Sequence, residues 1–100
     1  MTIIKLPPDF IGHEDKERLE HFAGHLIAHG KATRWHWDHN RQGSDILEIY
    51  RGGQDERLLA LVGRHNRRDQ FFAEDGAGNE LASGRLDHVM AMLEQIAENA

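Results

Sequence analysis

Apolar residues along this chain recur with two different periods, and the change of period divides it. Between 14 and 29, Leu19, Phe22, Ala23, Leu26 and Ile27 recur at i, i+3, i+4, i+7 and i+8. That spacing is one stripe of an amphipathic helix. Glu14 and Asp15 fall in its first turn, where the helix dipole favours negative charge. Glu14 and Arg18 have the spacing of an ion pair across one turn. Gly30 is placed to end the helix in a left-handed conformation. A second stripe, Leu86, Val89, Met90, Leu93, Ile96 and Ala97, predicts another helix over 84–98, with Ser83 as its N-cap.

Between the two stripes the period falls to two. In 32–38, Thr33, Trp35 and Trp37 face one way and Arg34, His36 and Asp38 the other. In 45–51, Leu47 and Ile49 alternate with Ile46 and Tyr50. The segment 57–64 is apolar on both faces, through Leu58, Leu59, Ala60, Leu61 and Val62. Phe71 and Phe72 mark a fourth strand over 69–74, and 80–82 adds a short fifth. Gly, Asn and Asp clusters at 40–44, 52–55 and 75–79 supply the turns. Ahead of all this, Pro7 and Pro8 forbid a regular helix, so 1–12 reads as an extended apolar strap.

These elements predict one α+β domain over 1–100. Its sheet is an antiparallel four- to five-stranded meander, flanked by N-terminal and C-terminal helices packed on one face. Each helix has one apolar stripe to bury. Both helices on one face leave the other face bare, although 57–64 is apolar on both sides. The expected cover is a partner protein or a second copy in a homodimer. Trp35, Trp37, Ile46, Tyr50, Leu58 and Val62 are the candidate partner-binding residues.

Composition narrows the function classes. The chain has no cysteine, which excludes disulfides, thiolate metal sites and a Cys nucleophile. Its net charge of −5 disfavours nucleic acid as a partner, because such binding needs Lys and Arg to displace counterions. No apolar run reaches the ~18 residues of a membrane span, and the N-terminus lacks a signal-peptide core. A cytoplasmic location is expected. Ser44 and Ser83 are the only serines, and neither sits in a nucleophile elbow. With no catalytic signature and no cofactor motif, the chain reads as a non-enzymatic binding module.

Eight histidines qualify that reading. Protonating all of them would carry the formal charge from −5 to +3, in the range where imidazole titrates. His21, His25 and His29 recur every fourth residue on the first helix. With Leu19 at 0°, they fall at about 200°, 240° and 280°, so His29 borders the apolar stripe and His21 points to solvent. His25, His29, His36 and Asp38 form a candidate ligand set for Zn²⁺ or another divalent transition metal. This is the alternative to the binding-module reading. Two turns also carry chemistry-bearing residues. Arg64, His65, Arg67 and Arg68 would make a basic hairpin tip. Asp75-Gly76-Ala77-Gly78-Asn79 has oxygen ligands but lacks EF-hand spacing, and a hairpin turn explains it.

Overall fold

A computed structural model describes residues 11–39, 43–65 and 70–99. Most of the strap expected over 1–12 lies outside them; its last apolar residue, Ile11, is fully buried against the core.

Helix α1 (His13–Ala28) starts at Gly12, whose backbone is extended and offers no side-chain cap. Glu14 and Asp15 place negative charge in the first turn instead. Leu19, Ala23 and Leu26 are buried, and Phe22 and Ile27 flank them half-buried, as the stripe predicts. The helix ends in a Schellman turn. Gly30 has φ 71°, its N–H donates to Ile27 O, and the Lys31 N–H donates to Leu26 O.

Five strands follow: β1 (Arg34–His39), β2 (Asp45–Arg51), β3 (Arg57–Arg64), β4 (Phe71–Glu74) and β5 (Glu80–Gly84). They form one antiparallel meander in sequential order, β1 to β5. Helix α2 (Leu86–Asn99) then buries Leu86, Val89, Leu93 and Ala97. Ser83 does not cap it. Ser83 lies inside β5, opposite Phe72. Gly84, at φ 129°, carries the chain out of the strand, so the helix begins at Leu86, the first residue of the stripe, rather than at 84.

Both helices pack on the same face. The core joins their stripes to Leu47 and Ile49 of β2, Ala60 and Val62 of β3, and Phe71 and Ala73 of β4. Arg18 of α1 pairs with Asp87 of α2, His25 with Glu94, and Lys31, just past α1, with Glu98. The near-constant offset of these pairs shows that the two helices run parallel. Arg18 thus directs its charge to Asp87 and Asp15 rather than to Glu14.

A β-bulge decides which apolar residues face the helices. Leu47 pairs with Val62 and Ile49 with Ala60, but Tyr50 pairs with Leu58, so Leu59 is the extra residue. Simple alternation puts Leu58, Ala60 and Val62 on one side. The bulge sends Leu58 to the open face with Tyr50 and keeps Ala60 and Val62 in the core. A second irregularity, between Ala73 and Glu74, turns Leu81 toward the core.

Candidate functional site

The open face of the sheet holds a connected polar network next to an apolar strip. The antiparallel register of β1 and β2 sets Arg34 opposite Tyr50, His36 opposite Glu48 and Asp38 opposite Ile46. The Arg34 Nε lies 2.9 Å from both carboxylate oxygens of Glu56, which stands just before β3. Its guanidinium covers the Tyr50 ring, 4.1 Å from the centroid. The hydrogen bonds to Glu56 raise the Arg34 pKa, holding it charged at any working pH.

His36 is clamped between two partners. Arg34 Nη1 lies 2.8 Å from its Nδ1, and Glu48 Oε1 lies 2.7 Å from its Nε2. A guanidinium can only donate, so Nδ1 accepts and the ring proton sits on Nε2, which donates to Glu48. The ring also stacks on Tyr50, with centroids 5.4 Å apart. In this arrangement neither ring nitrogen is free to serve as a general base. Burial pushes the Tyr50 hydroxyl pKa up. The Glu48 charge and the hydrogen bond between the two raise it further, against a smaller opposing pull from Arg34.

The apolar strip crosses the face beside this network. Ile46, Leu58, Leu61 and Phe72 are half-exposed, as is Tyr50, and none of them joins the core cluster. Phe72 lies opposite Gly63, and its ring takes the place a β-carbon there would occupy. Acidic groups frame the strip: Asp38 and Glu48 on one side, and Glu74, paired with Glu80, on the other.

Comparison with protein-family models, curated proteins and solved structures found no match. Among the described residues, no helix is long and apolar enough to cross a membrane.

The structure divides the partner-binding set expected from the sequence. Ile46, Tyr50 and Leu58 lie together on the open face. Val62 is 0% exposed in the core and touches no solvent. Trp35 and Trp37 point to the helix side and remain half-exposed, because β1 is the outermost strand. The Trp37 Nε1–H donates to Glu20 of α1 at 2.7 Å, and Lys16 sits over its ring.

The expected metal set is divided as well. His25 and His29 belong to α1 and its end, on the covered side of the sheet, with rings 4.3 Å apart. His29 is exposed at the helix end rather than bordering the core. His21 and His25 line a shallow groove beside Phe22 and Met90, between the helices. His36 and Asp38 are across the sheet, where Glu48 joins them: their ligand atoms lie within 4.8 Å of one another. Sequence reasoning misses Glu48 because strand register, which sets it opposite His36, cannot be read from alternation. Of the basic tip, 66–69 lies outside the described residues. The Asp75 turn is a hairpin closed on itself. Its carboxylate accepts the Ala77 and Asn79 N–H groups at 2.9 Å each.

Proposed function

We propose that this chain is a non-enzymatic protein-binding module. It presents the open face of its sheet to a polypeptide with an apolar stripe edged by Lys and Arg. The observation behind this reading is the half-exposed strip Ile46, Tyr50, Leu58, Leu61 and Phe72, left uncovered by helices that both pack on the other side. The charge of the partner follows from the frame. Among the described residues Asp38, Glu48, Glu74 and Glu80 flank the strip, Glu48 already holding His36, and Arg34 is paired with Glu56. A second copy laid face to face would set two acidic frames against each other, so the open face suits a basic partner better than a second copy. A cytoplasmic setting fits a cysteine-free chain.

Calorimetry with two synthetic amphipathic peptides tests the reading. Both carry the same leucine stripe, one edged with Lys and Arg and the other with Glu. The basic peptide is expected to bind at least tenfold more tightly, and Leu61→Glu to abolish its binding. Equal affinities, or no binding of either peptide, would overturn the proposal.

A second reading, a divalent metal site at His36, Asp38 and Glu48, is favoured by the convergence of their ligand atoms. It has a cost. The metal needs the Nε2 lone pair, whereas Arg34 at Nδ1 keeps the proton on Nε2. Elemental analysis of untagged protein, with Glu48→Gln as control, tests it. Stoichiometric Zn²⁺ lost in that variant would carry this reading; metal-free protein unshifted in melting by Zn²⁺ would end it.

A further inference from the structure

Among the described residues β1 pairs only with β2, and no described strand pairs its other side. Native edges of this kind are usually blunted by Pro, a bulge or charged side chains, Lys above all. β1, Arg-Trp-His-Trp-Asp-His, has no Lys, Pro or bulge, its register with β2 runs unbroken over all six residues, and its two charges, Arg34 and Asp38, are opposite in sign. The opposite edge, β5, is broken by a register shift and leads directly into α2 through Gly84.

The order of side chains in β1 is complementary to itself. Arg34 and Asp38 lie two residues either side of His36 on the open face. Trp35 and Trp37 lie one residue either side on the helix-covered face. An antiparallel strand centred on His36 sets Arg34 opposite the second copy's Asp38, and its Asp38 opposite the second copy's Arg34. It also sets each Trp35 opposite a Trp37. Opposite charges and aromatic pairs are the favourable cross-strand neighbours, and the second copy's Asp38 would join Glu56 on the Arg34 guanidinium. Centring on Trp35 instead sets Arg34 against His36, and centring on Trp37 sets Trp35 against His39. Only the His36 centre sets both Arg34 and Asp38 against an opposite charge and both tryptophans against tryptophans.

We infer that the chain forms a two-fold dimer by pairing β1 with β1 of a second copy in this register. The two-fold axis runs through His36, normal to the sheet. Two five-stranded sheets become one continuous sheet, with all four helices on one side and both open faces on the other. The parts of Trp35 and Trp37 that remain accessible at the sheet edge would be covered. The pairing goes beyond the binding reading above; it uses Arg34 and Asp38 at the margin of the open face and none of its apolar strip.

Charge reversal tests it. In Arg34→Asp both cross-strand pairs become acidic, and in Asp38→Arg both become basic. Sedimentation velocity across the micromolar range, with circular dichroism to confirm folding, should show a wild-type dimer. Each single variant should weaken it roughly tenfold or more. An equimolar mixture of the two variants should associate again, because every cross-strand pair then sets an acidic side chain of one variant against a basic side chain of the other. If either single variant fails to fold, R34D/D38R in one chain restores both pairs with reversed polarity and should dimerise. A wild-type monomer, single variants that remain dimeric, or a mixture that fails to associate would each overturn the inference. Leu61→Glu, which blocks the open face, should leave the dimer intact, so the two proposals fail separately.

Discussion

Gly63 lies directly opposite Phe72 across β3 and β4, and the Phe72 Cζ stands 2.6 Å from where a β-carbon on residue 63 would be. The glycine is therefore a seat for the ring. Its missing side chain lets a phenylalanine lie flat on the open face, where His65 meets it at 4.9 Å between centroids. Gly63→Ala should displace the ring and cost about 1–3 kcal/mol in urea unfolding, as overpacking does. Adding Phe72→Leu to that variant should recover part of the loss, because a smaller side chain can share the space. Additive losses would show that the ring and the glycine are not coupled.

The burial of Tyr50 predicts an alkaline signature. It is the only tyrosine, so near-ultraviolet absorbance reports its ionisation without ambiguity. The titration should fall above the ordinary tyrosine value. Glu48→Gln removes a charge that disfavours the phenolate and should bring the midpoint down. A folded pKa above the unfolded one means that this contribution to stability is whole below about pH 10 and is lost as pH rises through the folded value. A midpoint unchanged by Glu48→Gln would contradict the hydrogen-bonded pair.

Neighbouring residues on β2 should respond unequally to truncation. Leu47 is fully buried under the helices, and Ile46 is half-exposed on the open face. Leu47→Ala should cost about 2–5 kcal/mol through lost burial and a residual cavity. Ile46→Ala should cost about 1 kcal/mol. Denaturant titration of the two variants measures the contrast, and equal losses would show that the open face is covered in the native protein.

The Asp75 turn predicts an acid-side loss. Hydrogen bonds from Asn79, backbone and side chain, lead a set that lowers the Asp75 pKa. The carboxylate thus supports the hairpin above the ordinary carboxylate pKa, and that support disappears as pH falls through the lower folded value. Amide hydrogen exchange at Ala77 and Asn79 should accelerate in Asp75→Ala at neutral pH. In the wild type the same acceleration should emerge only in strong acid, after correction for intrinsic exchange rates.

Both helices and the first four strands are legible in the sequence from the period of their apolar residues, and the fifth is legible as the upper count of a four- to five-stranded sheet. The two apolar sets of 57–64 are legible too, but their assignment is not. One extra residue at Leu59 reverses the side that Leu58 takes, and alternation has no symbol for a bulge. That single residue is why Leu58 and Val62, expected together, lie on opposite faces. The candidate site is half legible for a related reason. His36 and Asp38 stand two apart on one strand, while Glu48 reaches them only through inter-strand register. Ser83 has the look of a cap because it is a serine before an apolar stripe; β5 simply runs further than its apolar residues do.

The chain's two tryptophans both lie in β1, and Trp37 is tied to Glu20 of α1. Intrinsic fluorescence therefore reports on one strand rather than on the molecule. An emission change can record events at that edge while the rest of the fold stays intact. A melting curve followed by fluorescence tracks the release of β1 from α1, and circular dichroism tracks the helices. Where the two curves separate, the distance between them measures how far the outer strand leads the unfolding of the whole.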